Sequence, residues 1–149
     1  MPQACPCRGP SEPRAYLDCC GRFHLAADLG ASSIVDARDL VRARFSAFSL
    51  GLLPFLRATE SETRAPIGSL DPRTRYKRLD VLDADISAGT PRVLFTVDVL
   101  SRGVDASFAE LSSFTHEGGR LVYLVGITKK KKLGASFPSQ TIADFEARL

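Results

Sequence analysis

Cys5 and Cys7 are separated by a single proline, Cys19 and Cys20 are adjacent, and residues 21–149 contain no further cysteine. A one-residue spacing lets two sulfurs converge from a tight turn, and the adjacent pair can close the site from the other side. Four thiolates complete the tetrahedral sphere of Zn2+ and leave no position for a substrate water, so the expected zinc is structural. Cys5, Cys7, Cys19 and Cys20 are the expected ligands, and metal binding should fold the leader around them, with an apparent free energy of about 10–16 kcal/mol by analogy with zinc fingers. His24 is the one histidine nearby. With four thiols available it is expected to support or pack against the site. The alternatives are free thiols or a local disulfide. Secreted disulfide domains spread their cysteines so that bridges staple distant loops, which this pattern does not do. An intracellular, reducing compartment, with the cytoplasm first, is the expected location.

The rest of the chain must supply a body for this element. At 149 residues, 44% hydrophobic and 25% charged, it suits one medium soluble domain with a short appendage. No apolar run approaches the ~20 residues needed to cross a bilayer, and no secretory leader is expected ahead of Cys5. The formal charge of +3 is local: removing Lys129–Lys132 leaves 16 basic residues against 17 acidic ones. No membrane role follows from this. Nucleic-acid binding is not expected either, since no aromatic residue interleaves the lysines.

Residues 1–22 are too rich in Pro, Cys and Gly for a long element. Ser33-Ile34-Val35-Asp36 has the form of a capping box. Leu40, Val41, Phe45, Phe48 and Leu52 then recur at helical spacing up to Gly51, and residues 54–59 suit a second short helix. After a loop over 60–75 the period changes. Segments 79–86, 92–100, 106–116 and 120–127 read as strands. Ala88-Gly89-Thr90-Pro91, Ser101-Arg102-Gly103 and Glu117-Gly118-Gly119 read as hairpin turns between them. Helices followed by consecutive antiparallel strands indicate an α+β fold. Residues 129–149 read as a basic tail, partly disordered, with a weak helix over 141–149.

Cys5-Pro6-Cys7 with Tyr16-Leu17-Asp18-Cys19-Cys20-Gly21 resembles the SEC-C motif. The continuation Cys20-Gly21-Arg22-Phe23-His24 is more specifically similar to the YchJ family. Further matches are Leu40 to Phe48 with Gly51, Leu79-Asp80-Val81-Leu82, Glu110 with Ser112 and Phe114, and Gly119-Arg120 followed by Tyr123 and Gly126. The resemblance implies a SEC-C-like zinc element over 1–24. It also implies a cone-shaped (cystatin-like, nuclear-transport-factor-2-like) domain over 32–128, with N-terminal helices packed on a curved antiparallel sheet. Three features depart from the family pattern. The loop between Cys7 and Cys19 is longer, Leu121 stands where the family usually has Trp, and a second C-terminal SEC-C motif is missing. A longer loop adds little closure entropy.

Because such cones often hold a pocket, strand parity selects candidates within it. Phe108 and Phe114 share a face with Glu110, Ser112 and His116, whereas Asp98 points away from Val93, Phe95, Val97 and Val99. If the phenylalanines face the cone, Glu110 is the candidate pocket carboxylate, with Tyr123 and His116 as candidate neighbours. Against this, Glu110 could pair with Arg42 or Arg44, and His116 could be a surface residue at a strand end. No phosphate-binding glycine loop, HExxH sequence or nucleophile elbow is present. The reading is therefore a zinc-binding, non-enzymatic protein. Its zinc element docks a protein partner and its cone serves as scaffold or small-ligand binder, with homodimerisation through the sheet face as a further expectation. The alternative is an isomerase or lyase using Glu110.

Overall fold

A single 3-10 turn (Tyr16–Asp18) and a one-turn helix α1 (Gly21–His24) are the only helical pieces in the cysteine-rich leader among the described residues. The computed structural model describes residues 3–9, 12–30, 33–87 and 89–149. Ser32 at the expected start of the body, Pro10 and Ser11 in the long loop, and Ala88 in the first expected turn lie outside the described residues. The principal helix, α2 (Ala37–Leu50), is capped by Asp36 rather than by a box at Ser33. Asp36 Oδ1 accepts from Arg38 N–H at 2.9 Å, while Ser33 Oγ turns back to Gly30 O. The carboxylate answers one of the orphan donors that every helix start leaves open. Gly51 ends α2 at φ 72°, where Leu52 N–H returns to Ala47 O at 2.8 Å. Helix α3 (Leu53–Ala58) follows, with Pro54 in its first turn, where the missing N–H leaves no bond unmade.

Strands β1 (Thr74–Asp85), β2 (Arg92–Ser101), β3 (Val104–Asp105), β4 (Phe108–Glu117) and β5 (Arg120–Lys130) form one antiparallel sheet in the order β1-β2-β4-β5, with β3 paired to β2. The four expected strands are present, and β1 begins five residues before the sequence reading placed it. Arg102 and Gly103 turn between β2 and β3, and Gly118 and Gly119 between β4 and β5. All four residues have positive φ, as two-residue hairpin turns require.

Helices α2 and α3 cover one face of the sheet. Leu40, Val41, Phe45, Phe55 and Leu56 pack there against Val93, Val97, Val99, Phe114 and Leu121. The same cluster contains Cys5, Cys7, Cys19, Cys20 and Phe23, so the leader and the body share one continuous core. Leu121, which replaces the larger aromatic residue, is itself buried in it.

Residues 129–149 do not form a free basic tail. Strand β5 runs through Lys130, and helix α4 (Ile142–Ala147) places Ile142 and Phe145 on the opposite face of the sheet against Leu94, Ala109 and Leu111. The lysine run joins this packing: Lys129 Nζ lies 4.5 Å from the Phe145 ring centre, and the buried Lys131 ammonium pairs with Asp98. The alternation of β2 had shown that Asp98 leaves the helix-covered face, but its partner came from the chain's own C-terminus. Part of the sheet face considered for self-association is thereby covered. Among the described residues, no helix is long and apolar enough to cross a membrane.

Candidate functional site

The sulfurs of Cys5, Cys7, Cys19 and Cys20 all lie within 4.8 Å of one another, and each residue is at most 4% exposed. All four are free thiols. The Cys7 sulfur is 3.6 Å from that of Cys5, 3.5 Å from Cys19 and 3.6 Å from Cys20. These distances are near the edge of about 3.8 Å that a tetrahedron with Zn–S bonds of ~2.3 Å would have. The donor set therefore fits a metal ion bound by sulfur alone.

Local backbone geometry explains how the sequence gathers these atoms. Arg8 N–H donates to Cys5 O at 3.0 Å, and positive φ at Arg8 and Gly9 turns the chain so that Gly9 N–H reaches Cys7 Sγ at 3.3 Å. The long loop is closed at its base by Cys5 N–H to Arg14 O and Tyr16 N–H to Gln3 O, both 2.8 Å. On the other side, Phe23 and His24 N–H groups both donate to Cys20 O at 3.0 Å, starting α1 directly at the cysteine pair. Without a cation the thiols compete for protons. Hydrogen bonds from Cys20 and Cys7 hold Cys5 far below the usual thiol range, while donation to Cys5 and Cys7 pushes Cys20 far above it. Four thiolates at such separations need a positive ion between them.

Ser46 on α2 is completely buried and donates its hydroxyl to Cys20 Sγ at 3.2 Å, while lying 3.4 Å from Cys5 Sγ. His24 takes no place among the sulfurs. Its Nε2–H donates to Ala43 O at 2.8 Å, leaving Nδ1 to accept the Tyr16 hydroxyl at 2.7 Å. Burial lowers the His24 pKa and keeps this neutral tautomer. Both ring nitrogens are used, and the ring also packs edge-on against Phe55 at 4.6 Å. His24 thus bolts the leader to α2 and α3.

A second site lies between the helices and the sheet, where a cavity of about 480 Å3 opens beside Phe48, Tyr76, Phe95 and Phe108. Phe108 and Phe114 face the cavity and Glu110 lies in its wall beside them, because β4 keeps its alternation and the irregular residue falls on β5. Glu110 Oε2 accepts the Ser112 hydroxyl at 2.5 Å and the Tyr123 hydroxyl at 2.9 Å. Burial, and then the neighbouring Glu110 charge, raise the Tyr123 pKa, so the phenol stays a donor. His116 is exposed at the end of β4 and does not line the cavity.

Neither arginine considered as a partner for Glu110 is one. Arg42 pairs with Asp39, and the buried Arg44 pairs with Glu60 at 2.7 Å while also donating to Thr59 Oγ1 and Leu56 O. Glu60 receives Arg64 as well, at 2.9 Å, and both guanidinium groups stand over the Tyr123 ring. A parallel bridge holds this cluster in place, with Ser61 N–H donating to Tyr123 O and Tyr123 N–H to Thr59 O. Glu60 was missed because it falls in a stretch that the sequence marks only as loop. Gly126 is one of the sequence matches to the YchJ family, and a glycine inside a strand is the usual sign of a close approach. A Cβ there would overlap the Glu110 carboxylate and the Tyr123 hydroxyl.

A family model described as "YchJ, middle NTF2-like domain" matches residues 36–126. The chain is 36% identical over 129 residues to a UPF0225 protein of Bordetella parapertussis, covering 84% of this chain and 92% of that one. It is 38% identical over 124 residues to a UPF0225 protein of Streptomyces coelicolor, covering 82% and 93%. Among solved structures, a SEC-C motif containing protein from Rhodopseudomonas palustris aligns with a TM-score of 0.66 at 23% identity, over 86% of this chain and all of that one. A SEC-C motif containing protein from Psychrobacter arcticus aligns with a TM-score of 0.61 at 21% identity, over 91% and 85%. At these identities the structural likeness establishes a common fold.

Proposed function

The chain belongs to the YchJ (UPF0225) family, and from that premise we propose that it is a zinc-stabilised small-molecule-binding protein rather than an enzyme. Cys5, Cys7, Cys19 and Cys20 hold a structural Zn2+, which ties the leader to α2. The cone cavity receives a small, mainly apolar ligand. The cavity carries this reading: its volume and aromatic walls suit a small molecule, and a polar group fixed by two hydroxyls can orient it. Proton transfer by Glu110 has less support, because no histidine lines the cavity among the described residues and the Tyr123 hydroxyl is already committed to Glu110.

Native mass spectrometry under reducing conditions tests the metal, with one zinc per chain expected and none after chelation. Displacement of a fluorescent apolar probe, repeated with Val97→Trp to fill the cavity, tests the ligand site. Equal probe binding by both proteins would remove the cavity from the reading.

Partner docking through the zinc element is a second reading, supported by the exposure of Leu17 (67%) and Leu25 (68%) beside it. Leu17→Ser with Leu25→Ser should then weaken a purified partner's binding while zinc content stays unchanged. Unchanged binding would remove the docking role.

A further inference from the structure

The ionised groups on the cavity wall make unequal contacts: Arg44, Arg64 and Glu60 are joined to one another, and Glu110 stands outside that group. Arg44 and Arg64 both pair with Glu60, whose single charge offsets only one of the two guanidinium groups; both also stand over the Tyr123 ring, and Arg44 feels the charge of Glu110 without touching it. Glu110 receives two hydrogen bonds, both at Oε2 and both from neutral hydroxyls, and among the described residues it forms no ion pair. Its other oxygen, Oε1, accepts nothing from the described residues. Yet no polar side-chain atom sealed from solvent lacks a partner among the described residues. Oε1 is therefore reachable from the cavity, where an incoming donor can meet it.

The walls around this oxygen add a second preference. Tyr76, Phe95 and Phe108 are each only partly buried, so their rings remain open to an occupant, whereas the Arg44 guanidinium already stands over Phe48 at 5.8 Å. Phe48 and Tyr76 have ring centres 5.6 Å apart and tilted by 35°, forming one corner of the cavity. Aromatic faces are negative, and together with a carboxylate they attract an organic cation far more strongly than water-exposed rings do. The hydroxyl hydrogens of Ser112 and Tyr123 are turned toward Glu110, so these groups present acceptors to a ligand. An anionic ligand would have to sit beside the Glu110 carboxylate, with the guanidinium groups of the wall already hydrogen-bonded to Glu60.

We propose that the cavity is an organic-ammonium site, in which Glu110 Oε1 takes the cationic head and the aromatic walls take a compact apolar body. This deepens the small-molecule reading and rests on it. The ligand class is a primary or methylated amine of low molecular mass carrying an aryl or branched alkyl group.

The test uses three probes of matched shape with the full-length, zinc-loaded protein: phenethylammonium, phenethyl alcohol and phenylpropionate. Titration followed by amide NMR gives affinity and location together, with the Gly126 amide reporting on the Glu110 environment. Phenethylammonium should bind about tenfold or more tighter than either other probe, and Glu110→Gln should remove that preference while leaving the alcohol within about threefold. The charge preference in the unaltered protein is decisive even if the variant folds poorly. Equal binding of ammonium and alcohol, or tighter binding of phenylpropionate, overturns the ammonium assignment and leaves the small-molecule reading intact. No binding by any probe at millimolar concentration overturns both.

Discussion

Ser46 and Cys20 lie 26 positions apart in sequence, yet the Ser46 hydroxyl donates to the Cys20 sulfur at 3.2 Å inside the core. Through this contact α2 reaches the thiol cluster directly. A hydrogen bond to a metal-bound thiolate disperses its charge and fixes its direction, so such supporting groups affect metal affinity as well as packing. Ser46→Ala should lower zinc affinity by about tenfold. It should also lower stability by about 1–2 kcal/mol, since the hydroxyl is lost from a fully buried position. Competition with a chromophoric chelator and urea unfolding measure the two effects. An unchanged zinc affinity would mean that Ser46 only fills space.

Cys19→Ser with Cys20→Ser carries the same relationship further. Because the four cysteines belong to the core that contains Leu40, Phe45 and Phe55, loss of metal should not leave an intact body beside a loose leader. The double variant should lose stoichiometric zinc, and its thermal transition should fall and broaden for the whole chain. Near-ultraviolet circular dichroism of the body's tyrosines, together with metal analysis, checks this. A native-like body signal with no metal present would show that the two parts fold independently.

Gly126 gives up its side chain where Glu110 leans across β5. Its φ is not in the left-handed region, so alanine meets no backbone penalty there and the effect of substitution is one of space. Gly126→Ala should push the Glu110 carboxylate away from the Tyr123 hydroxyl and into the cavity. Cavity-ligand affinity should fall by about tenfold or more, with a stability change of about 1–3 kcal/mol from the forced displacement. Isothermal titration with an apolar probe and thermal unfolding separate the two. Unchanged binding would show that the carboxylate's position is not needed.

The contrast between Glu110 and Glu60 shows what the sequence could reveal. Glu110 sits on a strand whose alternation is uninterrupted, so parity gave its face once Phe108 and Phe114 were placed toward the cone. Glu60 lies after a short helix in a segment without periodicity, and only the bridge to Tyr123 brings it under Arg44. Helices and strands were legible because burial imposes a period on them. The Asp98–Lys131 pair was not, since four lysines in a row look alike until the residue that follows strand β5 meets a buried carboxylate. Spacing likewise pointed to the thiol cluster, but not to Ser46, whose role depends on how α2 packs.

Arg44 is the buried positive charge that holds the loop after α3 against the sheet. It is 8% exposed and bound at once to Glu60, Thr59 and Leu56 O. Arg44→Met should destabilise the protein by about 3 kcal/mol, at the lower end of the range for an abandoned buried partner. Arg64 still reaches Glu60 and softens the loss. Arg44→Lys should recover only part of it, because an ammonium cannot span the three acceptors that the planar guanidinium reaches. Urea midpoints for the three proteins decide the order. A lysine variant as stable as the parent would show that charge alone matters.

His24 makes stability depend on pH in a defined direction. Its folded pKa lies below 6.5 because burial disfavours the imidazolium, and Nε2–H and Nδ1 are already engaged by Ala43 O and the Tyr16 hydroxyl. Well above pH 6.5 both folded and unfolded forms are neutral and nothing changes. As the pH falls below that value the unfolded chain takes up a proton that the folded chain refuses, so stability is lost until the folded pKa is reached. The slope in this window cannot exceed about 1.4 kcal/mol per pH unit for one group. His24→Gln should cost stability at neutral pH by loosening the contact with α2, yet it should flatten the decline below pH 6.5. Urea titrations of the zinc-loaded protein measure this, with metal content checked at each pH because acid also releases thiolate-bound zinc. A decline equally steep in both proteins, at equal zinc occupancy, would assign the acid sensitivity to the thiolates instead.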